Sequence, residues 1–234
     1  RSTAMKGFHF WDRFFRIYGS DFSMQVFAFG HSIKQGFWDR ENGWVMRLRK
    51  FLDKKSLENP GEYYFEVYNL GVSGNDSRQL LERLNQEIEA RLWEEDETLI
   101  LIQIGANDIQ YLEEKDEIRV EKEEYRENLE ALIEEARSYT DRVVLVGEAY
   151  TSIEGPIPWS EEKHLSDERL GEYVEIQRKI AEEKELPYLD LRGLRTKQEW
   201  EKLLEDGSHP DNKGHELIYE NLKEKLIEQG LLGL

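Results

Sequence analysis

The chain has 234 residues, no cysteine, and 32 basic against 50 acidic side chains, a formal charge of −18 at pH 7. This length holds one substantial core and predicts a single domain, while the absence of thiols excludes disulfides, thiolate metal sites and a cysteine nucleophile. The acidic balance argues against nucleic acid and anionic membrane surfaces as partners, and no apolar run approaches the roughly 18 to 20 residues needed to span a bilayer.

Residues 1–23 contain Phe8, Phe10, Trp11, Phe14, Phe15, Ile17 and Tyr18, of which 8, 11, 15 and 18 share one face of a short helix. Asp12, Arg13 and Arg16 interrupt the apolar residues, so the stretch does not read as a signal peptide and a cytoplasmic protein is expected. The segment is expected to be an aromatic leader. It is either non-native, with Met24 as a natural start, or it packs on the domain, on a second subunit, or over a pocket as a lid. Residues 24–234 are then the single domain.

From Met24 the pattern is regular. Met24 to Phe29 predicts a strand ending at Gly30-His31-Ser32, and Trp44 to Lys55 predicts a helix with Val45, Leu48, Phe51 and Leu52 on one side. After the Asn59-Pro60-Gly61 turn, Tyr63 to Asn69 predicts a strand running into Leu70-Gly71-Val72-Ser73-Gly74. Asp76 or Ser77 can cap the next helix, whose Leu80, Leu81, Leu84, Ile88 and Leu92 keep the helical period. Thr98 to Ile104 has the character of a central strand buried on both faces, and it ends in Gly105-Ala106-Asn107-Asp108.

A charged helix is expected over Lys122 to Tyr139 and a fourth strand over Arg142 to Val146. Gly147 to Leu165 reads as a long irregular loop whose prolines and Trp159 suit a pocket wall. Ser166 to Glu185 predicts a helix, Pro187 to Leu191 a fifth strand, Lys197 to Leu204 a short helix and Asn212 to Gln229 the last one, after the turn Asp206-Gly207-Ser208-His209-Pro210. Five strands alternating with helices predict an α/β domain with a parallel sheet covered on both faces. Ligands of such sheets sit beyond the carboxyl ends of the strands, so the turns carrying Ser32, Gly74 and Asn107 gather at one edge.

A serine hydroxyl needs a neighbouring base to take its proton, and the base needs a third group to fix its tautomer. Ser32, His209 and Asp206 can fill those roles. The backbone N–H groups of Ser32 and Gly74, with the Asn107 amide, can face a developing oxyanion. Taken singly, each residue reads equally as turn or cap chemistry; their joint order carries the signal. His9, His164 and His215 read as surface or packing residues, and no pair of histidines has a metal-ligand spacing. Trp38, Trp44 and Trp159 are core residues or stacking surfaces for a sugar.

From Met24 to the C-terminus the sequence resembles the SGNH, or GDSL, hydrolase family. Its four blocks appear in order as Phe29-Gly30-His31-Ser32-Ile33, Asn69-Leu70-Gly71-Val72-Ser73-Gly74-Asn75, Gly105-Ala106-Asn107-Asp108 and Asp206-Gly207-Ser208-His209-Pro210. The resemblance implies a flavodoxin-like three-layer α/β/α fold, esterase or lipase-like activity on a small-molecule ester, and no cofactor. It implies Ser32 as nucleophile, His209 as base, Asp206 as its orienter, and Ser32, Gly74 and Asn107 as the oxyanion hole. Lys34 stands where the Gly-x-Ser-x-Gly turn of α/β-hydrolases needs glycine, which argues against that fold.

The expected activity is hydrolysis of small or short-chain esters through an acyl-enzyme, the alternatives being a carbohydrate O-acetyl esterase or a non-catalytic binding protein on the same fold. The family usually has Asp before the nucleophile, and here that residue is His31. A neutral imidazole can replace one acceptor of that carboxylate, so the substitution either preserves the turn or alters activity, pH dependence or function.

Overall fold

The computed structural model describes residues 20–234; residues 1–19, which hold the aromatic cluster of the leader, lie outside the described residues. Strand β1, Phe22–Gly30, begins earlier than the predicted Met24, because Phe22 and Ser23 pair in register with Tyr63 and Tyr64. A short helix that the apolar pattern did not predict, α1 (Ser32–Gln35), follows at once. Then come α2 (Gly43–Glu58), β2 (Tyr63–Gly71), α3 (Ser77–Glu89) and β3 (Glu97–Gln103). Two short strands, β4 (Tyr111–Leu112) and β5 (Glu117–Ile118), precede α4 (Lys122–Arg137) and β6 (Val143–Val146). Next are β7 (Gly155–Ile157), β8 (Ser160–Leu165), α5 (Asp167–Glu183) and β9 (Tyr188–Leu189). The chain closes with α6 (Leu191–Leu194), α7 (Lys197–Glu201) and α8 (Asn212–Glu228).

Among the described residues the main sheet has five parallel strands in the order β2-β1-β3-β6-β9, with β3 at its centre as its unbroken apolar run predicts. Alternate residues feed two cores. Phe27 and Phe29 of β1, Ile100 and Ile102 of β3, and Val143 and Leu145 of β6 meet Leu80 and Leu84 of α3, Leu129 and Ile133 of α4, and Leu170 and Tyr173 of α5. On the opposite face Val26 and Ala28, Leu99 and Leu101, and Val144 and Val146 meet Trp44 and Leu48 of α2 and Ile218 and Leu222 of α8. Both faces of the central strands are therefore dry, and each fully buried Ile, Leu or Phe contributes about 1.5 to 3 kcal/mol relative to exposure. The result is the three-layer, flavodoxin-like α/β/α fold.

Helix α3 starts where Asp76 caps it: the Gln79 N–H donates to Asp76 Oδ1 and the Asp76 N–H to Gln79 Oε1, a reciprocal capping box. The helix stops at Glu89, short of Leu92, which packs against the core from the turn beyond, its N–H on the Ile88 carbonyl.

Gly147 to Leu165, expected as an irregular loop, instead supplies β7 and β8 of a second, antiparallel sheet ordered β5-β4-β8-β7. Its strands are short, and in β8 Ser160-Glu161-Glu162-Lys163-His164 has no apolar alternation, so its period carried no strand signal. This sheet stands over the carboxyl edge of the main one, where strand order reverses between β1 and β3, the usual ligand crevice of such folds.

Candidate active site

Ser32 is the first residue of α1, immediately after β1, so its N–H has no intrahelical acceptor, and the residue lines the crevice. Its Oγ lies 2.8 Å from His209 Nε2. His209 Nδ1 lies 2.8 Å from Asp206 Oδ2, and the other Asp206 oxygen accepts the backbone N–H groups of Ser208 (3.0 Å) and His209 (2.8 Å). Because Nδ1 donates to a carboxylate, Nε2 is left as the acceptor for the serine hydroxyl. Burial alone would raise the Asp206 carboxyl, but the His209 side chain and N–H and the Trp38 indole together hold it well below the ordinary carboxylate range.

The turn that carries this pair is built locally. Gly207 takes the left-handed φ of 86° that lets Asp206 Oδ1 reach back to the Ser208 and His209 amides, and its carbonyl is held by Thr151 Oγ1 and the Ser152 N–H. Leu204 and Pro210 bridge beneath the turn before Asp211 caps α8 through Lys213 and Gly214.

Gly74 and Asn107 reach the same pocket from the ends of β2 and β3. Gly74 has φ 79°, and its carbonyl accepts from Arg119 Nη2 at 2.9 Å. That arginine is itself fixed by Asp76 (2.9 Å) and Gln110 (3.1 Å), so the turn after β2 is tied to the strand pair β4–β5. The Asn107 amide is oriented by two partners: its Oδ1 accepts from Gln110 Nε2 (3.0 Å) and its Nδ2 donates to the Asn75 carbonyl (2.9 Å). The second Nδ2 hydrogen is left for a ligand. Beneath these turns Arg83 donates to the carbonyls of Gly30 and Leu70 and to Asn75 Oδ1, joining the ends of β1 and β2.

The pocket has a volume of about 590 Å³. Its polar wall includes Ser73, Gln79 and Arg119, and its apolar wall includes Phe37, Ile157, Trp159 and Leu165, so the antiparallel sheet does supply the aromatic pocket wall expected of this segment. All five residues singled out in the sequence therefore converge: Ser32, Gly74, Asn107 and His209 line the pocket, and Asp206 stands behind His209.

Other partners escaped the sequence reading. Trp38 Nε1 donates to Asp206 Oδ2 at 2.6 Å, and its residue is held in the left-handed region at φ 67°, a conformation that costs a non-glycine residue about 1 to 3 kcal/mol. Trp159 leans on His209 with ring centroids 5.5 Å apart. Of the two roles open to it, Trp44 takes that of a core residue: it is fully buried, with Nε1 on Gln103 Oε1 at 3.2 Å. The left-handed φ of Trp38 and its reach across the fold left no periodic trace in the sequence.

His31 caps α1: its Nδ1 accepts a long 3.4 Å bond from the Ile33 N–H, and its Nε2 lies 2.8 Å from Glu148 Oε1, with both side chains sealed from solvent. Next to them Lys34 is completely buried, its ammonium on the Leu101 carbonyl at 2.9 Å. Burial pushes that amine well below its ordinary range, and the Glu148 charge acts in the opposite direction. Asp108 accepts the Ser77 N–H, and burial pushes its carboxyl up to about 6. Of the other histidines, His164 pairs with Glu113 (3.1 Å), His215 is buried against the Phe37 carbonyl (3.1 Å), and His9 lies outside the described residues. No described helix is long and apolar enough to cross a membrane.

The mouse (Mus musculus) isoamyl acetate-hydrolyzing esterase 1 homolog is 28% identical over 215 residues, 85% of this chain and 79% of that protein. The human (Homo sapiens) homolog is 26% identical over 214 residues at the same coverage. A lipase/acylhydrolase from Enterococcus faecalis has a TM-score of 0.65 at 23% identity, over 88% of this chain and 96% of that one. An acetylxylan esterase from Geobacillus stearothermophilus has a TM-score of 0.64 at 21% identity, over 89% and 95%. These two structures share the fold. The GDSL-like lipase/acylhydrolase family matches residues 28–217, a span that takes in every residue of the pocket relay, and the chain belongs to that family as a carboxylic-ester hydrolase.

Proposed function

We propose that the chain hydrolyses small or short-chain carboxylic esters through an acyl-enzyme on Ser32. The observation that carries this reading is the unbroken series Asp206–His209–Ser32, with both links at 2.8 Å, beside a pocket of about 590 Å³. His209 Nε2 takes the Ser32 proton as Oγ attacks the ester carbonyl. The Ser32 and Gly74 N–H groups and the free Asn107 hydrogen receive the oxyanion, and Asp206 stabilises the imidazolium. The proton passes to the leaving alcohol, and water then releases the acid by the same route in reverse.

The modest pocket and the relatives named for isoamyl acetate hydrolysis support small acyl and alcohol groups. A fluorophosphonate probe tests the nucleophile. Ser32 is expected to be labelled, with labelling and p-nitrophenyl acetate turnover both lost in Ser32→Ala; a folded protein that neither labels nor turns over short esters is a binding protein instead.

A carbohydrate O-acetyl ester is the second reading, favoured by Trp38 and Trp159, 55% and 54% exposed at the pocket. Such indoles can stack on a sugar ring. Release of acetate from acetylated xylo-oligosaccharides, lowered in Trp159→Ala by a clearly larger factor than p-nitrophenyl acetate turnover, is the result that selects it.

A further inference from the structure

We infer that Glu148 and His31 form a positioning pair for Ser32, in which the imidazole relays the hold of a buried carboxylate on β6's end to the first turn of α1. The inference rests on Ser32 as the nucleophile. Each His31 nitrogen has its own task. Nδ1 accepts the Ile33 N–H and so caps the helix whose first residue is Ser32, while Nε2 is anchored on Glu148 at 2.8 Å. Since Nδ1 must be the acceptor, the ring proton sits on Nε2 and donates to Glu148.

Glu148 is fixed in turn. Its second oxygen accepts from Gln103 Nε2 at 3.4 Å; that amide also donates to the Gly147 carbonyl (3.3 Å), and its own oxygen accepts from Trp44 Nε1 (3.2 Å). The series Trp44–Gln103–Glu148–His31 thus joins α2, the end of β3 and the end of β6 to the residue before the nucleophile. His31, Glu148, Gln103 and Trp44 are all at most 1% exposed, so no water can substitute for a missing partner without rearrangement. Lys34, one turn of α1 further on and also fully buried, is near enough to the carboxylate for the Glu148 charge to act on its amine.

A carboxylate in the buried wall and a neutral imidazole on the turn do jointly what a single acidic cap does: they supply one acceptor to the α1 amide and one fixed anchor. The pair is matched. An acid at position 31 can still cap α1, but it confronts Glu148 as a second buried anion with no donor between them. Turning Glu148 into an amide removes that conflict and provides a donor. Displacement of a nucleophile by an ångström costs about a hundredfold in rate, and directly coupled residues interact by about 2- to 150-fold.

The test is a double-mutant cycle with His31→Asp, Glu148→Gln and both together, reading kcat and KM for p-nitrophenyl acetate and the rate of fluorophosphonate labelling at Ser32. Unfolding midpoints are measured on the same samples, so that rates are expressed per folded molecule. His31→Asp is expected to lower kcat and labelling rate by about a hundredfold with KM little changed, and adding Glu148→Gln is expected to recover at least about tenfold of both. The inference is overturned if His31→Asp alone keeps wild-type kcat, or if the double variant is no faster per folded molecule than His31→Asp. Ser32→Ala separates the two levels: an inactive Ser32→Ala with an uncoupled cycle removes only the positioning pair, whereas an active Ser32→Ala removes the nucleophile assignment and the pair with it.

Discussion

Asp206→Asn alters one atom and leaves the shape of the relay intact. The carboxylate accepts four hydrogen bonds: Ser208 N–H at 3.0 Å and His209 N–H at 2.8 Å on Oδ1, and His209 Nδ1 at 2.8 Å and Trp38 Nε1 at 2.6 Å on Oδ2. An amide keeps the Oδ1 pair with its carbonyl and so presents NH₂ to two donors. The clash with the donor-only Trp38 indole breaks that bond, and the clash with His209 is relieved when the imidazole moves its proton to Nε2. That proton then points at Ser32 Oγ, and the imidazole can no longer accept one from it. The wrong tautomer in such a relay lowers kcat by about 10⁴, which is about 5.4 kcal/mol on the barrier. Steady-state turnover of p-nitrophenyl acetate is the assay, with KM expected to stay within about threefold because the substituted atom is not in the pocket. A fall in kcat of less than about tenfold refutes the role of Asp206 as orienter. Stability gives an independent check. The depressed Asp206 carboxyl contributes stability that is fully present above about pH 4, the ordinary unfolded value, and is lost as pH falls toward its folded one. The stability deficit of the variant should therefore shrink as the solution is acidified; a deficit independent of pH contradicts the assignment.

Asn107→Ala removes one oxyanion donor and is expected to lower kcat by about 10² to 10³ with little change in KM; a change below fivefold would take Asn107 out of the hole. Trp38→Phe keeps the ring beside Phe37 and His209 but deletes the indole donor to Asp206. Since Trp38 is half exposed and water can replace the bond, kcat should drop only by about fivefold, roughly 1 kcal/mol, and an unchanged kcat removes Trp38 from the relay. Asp108→Asn keeps an oxygen for the Ser77 N–H while abolishing a carboxyl that burial holds at about 6. A carboxyl raised in the folded state binds more protons there than in the unfolded chain, so its cost appears as pH rises from about 4 to about 6 and persists above that. Denaturant unfolding should find Asp108→Asn more stable than wild type by about 2 to 3 kcal/mol at pH 7.5, with no gain at pH 4. An equal difference at both pH values would show that desolvation of the carboxylate is not the cause.

The sequence by itself determined the main sheet, its long helices and the five candidate site residues, because those features are written in neighbouring residues. Alternation in Val26 to Phe29 and Leu99 to Ile102 separates two buried faces, the Asp76–Gln79 box starts α3, and each parallel strand hands its motif to the same edge. Only the tertiary structure decided what stands across the space from those residues. Trp38 meets Asp206 over a separation of 168 residues, and Glu148 meets His31 over 117. The short strands β4, β5, β7 and β8 find one another without any apolar period to announce them. Trp44, core residue or sugar platform in the sequence, turns inward to Gln103. Periodicity reports how much of a residue is covered; it carries no record of which side chain covers it. That is set by strand order and by the directions in which separate elements point, and there the meaning of His31 beside the serine is fixed, by a carboxylate arriving from β6.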